Sequence, residues 1–480
     1  MKSLMLIFLS IFNFSTCLFA MDKPTPPNII VIFCDDLGYA DISSYGSLWN
    51  QSPEIDKMAV EGLRFTNFYA GAPVCTPSRA GLMTGCYARR VDMDLDGQNR
   101  WVLFPVAQKG LNPKEITLPE VLKSGGYATA AIGKWHLGDQ PEFLPTRNGF
   151  DYWFGLPYSN DMQDLKRGDP PLPLMRNEQI IEQYNLPETL DQSTLTKRYT
   201  GEAIQWIDKH KKKPFFLYLA HTMPHNPVSA RPGYYGHSVN PKEGFGAAVA
   251  EISWSTGEIL AYIKKENLDK NTLVIFTSDN GGNPHWGASN GILKGQKGQT
   301  SEGGIRVPCI AWWPGKIKPG TTCNSPASVI DFYETFSTLA NIKVDNNVKR
   351  DGIDISQYFF NPEKEAQPRP FFYWHVGYLQ AVRYGNWKVN LLGEFAEKDQ
   401  QNMLKSSYGN VESLDHIELY NLNNDPGELI DVSDEHPEIV EQLLAIAEKE
   451  KFALGEWTNK GPEVRKTIYI ENPKPLISQY

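Results

Sequence analysis

Asn28-Ile29-Ile30-Val31-Ile32-Phe33-Cys34, followed at once by Asp35-Asp36, is the stretch on which the reading of the fold turns. A continuous apolar run closed by two carboxylates reads as a strand covered on both faces, the kind found inside a parallel sheet. Outward from it the signal repeats with helices between. Ser52-Pro53 opens a helix that stops at Gly62. Thr117-Leu118-Pro119-Glu120 has the form of a capping box, Gly125-Gly126 that of a helix stop, and a strand over Ala128–Ile132 follows directly. A helix through Leu195, Ile204, Trp206 and Ile207 leads into a strand over Phe215–Leu219. Another over Ala247–Ile263 leads into a strand over Thr272–Thr277. The alternation predicts an α/β sandwich with a mostly parallel central sheet.

After about residue 365 the pattern changes. Phe371–Trp374, Leu379–Tyr384 and Trp387–Leu392 read as short antiparallel strands, with a turn at Gly385-Asn386 and a closing helix over Pro437–Lys451. We expect a large α/β domain over 21–365 and a small α+β domain over 366–480. The Pro-rich stretch Asp169–Leu174 reads as a surface loop near the site entrance.

Bulk properties narrow the function. At 480 residues, with 41% hydrophobic and 21% charged residues, the chain has the make-up of a globular protein with a large core. A net charge of −9 argues against a nucleic-acid-binding surface and leaves room for a local basic pocket. Lys2 followed by the apolar run Leu4–Phe14 reads as a signal peptide over 1–20, cleaved near Ala20. A lipid anchor at Cys17 is the alternative. The run is too short for a membrane span, and no later stretch qualifies. We therefore expect an exported protein, periplasmic or secreted. Of six cysteines, Cys34, Cys75, Cys86, Cys309 and Cys323 remain after the leader, with no zinc spacing among them and pairing left open.

Ligands of open α/β sheets gather beyond the carboxyl ends of the strands. Four polar clusters fall there: Asp35-Asp36, Lys134 with His136, His221 with His225, and Asp279-Asn280. The plain reading of each aspartate pair is a turn or a helix cap. Together they offer three carboxylates and an amide oxygen, hard donors suited to Ca²⁺ or Mg²⁺. Lys134 and His136 straddle Trp135, so an extended backbone would turn both to one side. Cys75-Thr76-Pro77-Ser78-Arg79 puts a thiol at a helix start, with Thr76 as N-cap and Pro77 as first helical residue. The positive end of the helix dipole predicts an anion there, and a thiol of lowered pKa.

Cys75–Arg79, continued by Ala80-Gly81-Leu82-Met83-Thr84-Gly85, resembles the signature of the type I, formylglycine-dependent sulfatases, of the arylsulfatase A and N-acetylgalactosamine-6-sulfatase kind. Gly126–Gly138 resembles the second signature of that family. Leu293–Gly304, Gly155–Asp161 and the tail run Glu418–Glu428 resemble further family segments. The resemblance implies an alkaline-phosphatase-like fold and hydrolysis of a sulfate ester; export and the many aromatics, with 12 Trp and 22 Tyr, point to a sulfated carbohydrate as the substrate. The resemblance further implies that a separate maturation enzyme oxidises Cys75 to Cα-formylglycine, and that Asp35, Asp36, Asp279, Asn280 and the modified Cys75 bind Ca²⁺, with Mg²⁺ as the alternative. Arg79, Lys134 and Lys297 would balance sulfate charge. His136 would be the base, His225 would bind sulfate, and His225 or Lys297 would assist the departing alcohol. Register selects His225 over His221 and Lys297 over Lys294, and Ser159 would add a hydroxyl to the sulfate pocket. A phosphonate or phosphate ester hydrolase of the same fold and a non-catalytic glycan-binding protein are the other readings. Loops around Gln163–Gln183, Asn226–Gly244 and Asn283–Gly291, together with the small domain, would set specificity, with Trp374, His375, Arg383 and His285 as exposed candidates for sugar contacts.

Overall fold

The computed structural model describes residues 26–164, 166, 168–182, 191–391 and 416–477. The expected signal segment, with Cys17 and Ala20, lies outside these. Among the described residues the strands form sheets of ten, two and four. Strand β1 (Asn28–Cys34) is buried at every position and runs inside the largest sheet. Its neighbours there belong to a set of three further strands, β2 (Ala128–Gly133), β3 (Phe215–Ala220) and β4 (Thr272–Ser278). The spatial order is β4, β1, β3, β2, and all three pairings are parallel.

Burial on both faces follows from the two-residue period of a strand. Ile29, Val31 and Phe33 enter one apolar cluster with Leu82, Met83, Leu118 and Phe336. Ile30, Ile32 and Cys34 enter the other, with Leu195, Trp206, Ile252 and Ile259. Helices Leu195–His210 and Glu243–Lys265 cover that second face. A slip of one residue in β1 would swap the two sets, so its register is firmly specified.

The sheet is parallel at its centre and antiparallel toward its edges. Cys309–Trp312 pairs antiparallel with β4, and Leu63–Phe65 lies antiparallel beyond it. On the other side Tyr152–Gly155 continues parallel to β2, followed by the antiparallel hairpin Leu174–Arg176 and Gln179–Glu182. These edge strands of three or four residues carry no period long enough to read locally. The stretch Asp169–Leu174 is correspondingly less of a surface loop than expected: Leu172 is buried and Leu174 opens an edge strand.

Helix Pro53–Glu61 sits between Ser52 and Gly62 as the sequence indicates. Ahead of helix Leu118–Ser124, the Thr117 N–H donates to Glu120 Oε2 at 2.7 Å. The helix expected over Ala247–Ile263 begins four residues earlier, at Glu243. Gly244 and Gly246 hide its first turn, since glycine disfavours helix, while buried Phe245 anchors it.

The C-terminal strands Pro370–His375, Tyr378–Tyr384, Trp387–Asn390 and Glu418–Asn421 make the four-stranded antiparallel sheet, accompanied by helix Pro437–Leu454. Phe371, Tyr373, Val382, Val389 and Leu419 belong to the same cluster as Ile29 and Phe336, so the small sheet shares a core with the large one. The five described cysteines are free and buried. Cys309 and Cys323 lie on strands either side of Phe65. No helix of the described residues is long and apolar enough to cross a membrane.

Candidate active site

The four central strands end level with one another, and backbone bonds continue past the ends. Asp279 N–H donates to Cys34 O at 3.1 Å, Asp35 N–H to Met223 O at 3.3 Å, Lys134 N–H to Ala220 O at 2.9 Å and His221 N–H to Phe33 O at 2.9 Å. Gly133 closes β2 with φ 112°, and a Cβ there would lie 1.7 Å from Ala220 O, so no other residue fits. Each strand thus hands its next residues to one small volume.

Asp35 and Asp36 leave that point in different directions. Asp36 adopts φ 64°, a left-handed conformation that aspartate tolerates. Its N–H donates to Asp279 Oδ1 at 3.1 Å, and its own carboxylate accepts from Asn280 Nδ2 at 2.8 Å and Lys297 Nζ at 2.7 Å. Asp35 Oδ2 accepts from Lys134 Nζ at 2.6 Å. Asp35 Oδ1 and Asn280 Oδ1, both buried, accept no hydrogen bond from the described residues. Burial opposes ionisation of Asp35, yet Lys134, His225, Arg79 and Lys297 together hold it well below the usual carboxylate range. Asp279 is pushed upward, by burial and then by the neighbouring Asp35 charge.

Donor atoms of Asp35, Cys75 and Asp279 lie within 4.8 Å of one another, as do those of Asp35, Asp36 and His225. Unsatisfied buried acceptors are costly, and here they are carboxylate and amide oxygens beside further carboxylates. That donor set fits a hard divalent cation.

Cys75 is the first residue of helix Cys75–Thr84, all of which is buried. The N-cap is Val74, not Thr76, and Pro77 is the third residue rather than the first. The Thr76 hydroxyl instead donates to His136 O at 3.0 Å and accepts the Leu103 N–H at 3.2 Å, stitching two site loops together. The thiol pKa is pushed up to about 11 rather than lowered. Burial is the main cause; Lys134 and Lys297 oppose it, and Asp35 and Asp279 add to it. The helix dipole is outweighed by desolvation among carboxylates.

Arg79, one turn further along that helix, meets a group from each central strand. Its Nε and Nη2 fork onto Asp279 Oδ2 at 3.1 and 2.6 Å. Nη1 donates to Lys134 O at 3.2 Å and the Tyr218 hydroxyl at 3.3 Å, and Nη2 lies 3.4 Å from Asp35 Oδ1. Tyr218 was hidden from sequence reading; its one signal is a polar tip inside the otherwise apolar strand β3.

Lys134 Nζ also donates to Ser159 Oγ at 3.0 Å, which brings Ser159 into the group. His136 does not share a strand face with Lys134, because it turns to φ 62° after β2 has ended. Its Nε2 lies 2.8 Å from Leu103 O. A carbonyl only accepts, so Nε2 carries the proton, and Nδ1 has no hydrogen-bond partner among the described residues. Burial, then Lys134, holds the ring well below the ordinary histidine value.

His225 Nε2 lies 3.6 Å from Asp36 Oδ2, while Nδ1 donates to Asn226 O at 2.5 Å. His221 stays apart, 3.3 Å from Ser255 Oγ and against Tyr199, with burial pressing its pKa to about 4. Lys297 reaches Asp36, whereas Lys294 lies over the Tyr420 ring. Trp374, His375 and Arg383, expected on exposed loops, are buried strand residues; Arg383 bonds Gly385 O and the Tyr69 hydroxyl. Trp374 belongs to the core shared with the large sheet, and the burial of all three is something sequence alone does not reveal. His285 is exposed as expected.

A model of the sulfatase family matches residues 27–342, and one of the C-terminal region of aryl-sulfatase matches residues 366–468. N-acetylgalactosamine-6-sulfatase of Mus musculus is 33% identical over 466 residues, covering 91% of this chain and 88% of that protein. Arylsulfatase A of Bos taurus is 35% identical over 450 residues, covering 88% and 86%. The crystal structure of Ps i-CgsB in complex with k-i-k-neocarrahexaose matches with a TM-score of 0.74 at 30% identity, covering 89% of this chain and 93% of that one.

Proposed function

Because the chain belongs to the sulfatase family and is a sulfuric ester hydrolase, we propose that it removes sulfate from a sulfated carbohydrate outside the cytoplasm, after export by residues 1–20. The observation that carries the assignment of the site is the convergence of Asp35, Asp36, Asp279 and Asn280 with Lys134, Lys297, His136 and His225 around Cys75 and Arg79. The oligosaccharide in the related crystal structure and the hexosamine sulfatases among the relatives support a carbohydrate.

We assign Asp35, Asp36, Asp279 and Asn280, with the matured Cys75, to one divalent ion, Ca²⁺ before Mg²⁺. Such an ion supplies positive charge at the sulfate oxygens and lowers the pKa of a bound hydroxyl. Cys75 is the precursor of formylglycine, made by a maturation enzyme; its hydrate offers two hydroxyls on one carbon, a group suited to attack and then release. That choice agrees with the position of Cys75, since a thiol held up to about 11 is a poor thiolate source at neutral pH.

The chain's own residues then have distinct tasks. Lys134, steadied by Asp35 and Ser159, and Lys297, steadied by Asp36, bind the sulfate oxygens and offset charge as the S–O bond breaks. Arg79 holds Asp279 and the Lys134 backbone in place and adds to that positive field. His136 accepts a proton at Nδ1, the ring atom its bond to Leu103 leaves open. His225 Nε2 and Lys297 Nζ both face Asp36 Oδ2, and we place the departing alcohol on their side of the site.

The test combines two measurements on protein from its native host. Peptide mass analysis is expected to find the Cys75 thiol replaced by an aldehyde or its hydrate. Sulfated oligosaccharides of defined linkage are expected to release inorganic sulfate faster than matched phosphate esters release phosphate. An unmodified Cys75 in active protein, or preference for phosphate esters, overturns the reading.

A further inference from the structure

The segment Leu293–Gly304, which carries Lys297, is tied to the site along one side. Lys297 N–H donates to Gly282 O at 3.1 Å, Gly298 N–H to Pro73 O at 2.9 Å, and Gly281 N–H to Gly304 O at 2.9 Å. Gly281 leaves no room for adjustment, because a Cβ there would lie 1.9 Å from Gly303 O. The segment therefore touches the neighbours of both Cys75 and Asn280.

What holds it from behind is ionic and comes from the small sheet. Lys388, on strand Trp387–Asn390, donates its Nζ to Thr300 O at 2.8 Å and Glu302 Oε1 at 3.3 Å, and pairs with Glu428 Oε1 at 2.8 Å. Glu428 Oε2 accepts the Glu302 N–H at 2.7 Å. The side chains of Lys388, Glu302 and Glu428 have no solvent exposure. Glu302 also accepts the hydroxyls of Tyr69 at 2.6 Å and Tyr373 at 3.1 Å, so each of its oxygens is engaged.

A lysine between two carboxylates in a dry interior is weak as a device for stability, since apolar side chains of the same volume commonly serve as well. Its distinguishing property is direction: charge-assisted hydrogen bonds tolerate one geometry, whereas apolar packing tolerates sliding. Here the direction is imposed on Thr300 and Glu302, three and five residues beyond Lys297. Glu428 closes the tail run Glu418–Glu428.

We propose that Lys388 and Glu428 are positioning residues, whose pairing with Thr300 and Glu302 fixes the Leu293–Gly304 segment so that Lys297 reaches Asp36. The small sheet thereby takes part in the chemistry through a backbone segment it clamps. This inference rests on the reading of Lys297 as a sulfate-facing cation.

The test uses the double variant Lys388→Met/Glu428→Gln, which removes one charge of each sign and leaves Glu302 its Arg306 partner at 3.5 Å. Hydrogen exchange followed by mass spectrometry is expected to quicken about tenfold or more over 294–304, with β1 and β4 unchanged. With a sulfate ester substrate, kcat is expected to fall about tenfold to a hundredfold, as for a slight misplacement of a charge-stabilising group, while KM changes little. In a Lys297→Met background the same double variant is expected to lower kcat no further. Unchanged exchange over 294–304 overturns the proposal, and so does a loss that multiplies with that of Lys297→Met. Should the wild type turn over no sulfate ester, the functional reading fails while the exchange result still decides the positioning claim. If the double variant does not unfold cooperatively, Glu428→Gln alone, which keeps an acceptor for the Glu302 N–H, is measured in the same way with the same outcomes.

Discussion

His136 Nε2 donates to the backbone carbonyl of Leu103 at 2.8 Å, and this bond decides which ring nitrogen is free to react. A glutamine at 136 can keep the donor toward Leu103 but has no basic nitrogen. His136→Gln is therefore expected to lower kcat by about 10²–10⁴, with a thermal midpoint close to that of the wild type. Steady-state kinetics beside a melting curve check it. Wild-type turnover would mean that the proton goes elsewhere.

Arg79 is bound by groups from all four central strands, so its replacement tests architecture and chemistry together. Lysine has one ammonium and cannot fork onto Asp279 while also reaching Lys134 O and the Tyr218 hydroxyl. Arg79→Lys keeps the charge but drops part of this bonding, and is expected to lose about 1.5–3 kcal/mol of stability, the usual worth of a hydrogen bond to a charged group. It should also abolish turnover. Denaturant titration supplies the first number, and a destabilisation near zero would show that Asp279 finds another partner.

Asp35 Oδ1 and Asn280 Oδ1, which accept no hydrogen bond from the described residues, make divalent-ion binding measurable without any substrate. Protein dialysed against a chelator is expected to melt several degrees lower and to recover on titration with Ca²⁺, with one ion per chain by elemental analysis. Asp35→Asn should remove that response. A melting curve indifferent to chelator and to Ca²⁺ would count against the ion.

A pH effect far from the site comes from Glu450, which is buried beside Asp351 and lies 3.5 Å from Arg90 Nη2. Burial, then the Asp351 charge, raises its pKa from 4.5 to about 7, against the pull of Arg90 and Lys349. The folded state thus keeps a proton that the unfolded chain gives up. This contribution is present in full below about 4.5 and is lost as pH rises through about 7. Glu450→Gln should remove the dependence, raising stability above pH 7 by about 1–3 kcal/mol relative to wild type and leaving acid stability unchanged. Melting curves across that range provide the check.

Much of the fold was legible because burial on two faces leaves an uninterrupted apolar run, as in Ile29–Cys34, and because Asp35-Asp36 and Asp279-Asn280 end such runs. The features that no local pattern displays depend on partners remote in sequence. Leu63–Phe65 is a strand because Cys309–Trp312 lies beside it, and three residues have no period of their own. The placement of His136 depends on left-handed backbone after Gly133, which alternation cannot foresee. Trp374, His375 and Arg383 read as available to sugars because nothing local announces that the fold buries them. The raised pKa of the Cys75 thiol has the same origin, since a helix start is local and desolvation is not.

Helix Cys75–Thr84 is buried along its whole length, and Cys75 itself is 2% exposed. If Cys75 is matured by an enzyme as proposed, that burial sets an order of events in the life of the chain. An enzyme that alters the Cys75 side chain has to meet it while the segment is still accessible, before β1 to β4 draw together over it. Under the proposed maturation of Cys75, a molecule that folds first would keep its thiol, and the proportion of working protein would be decided by a race between modification and folding, finished before any substrate arrives.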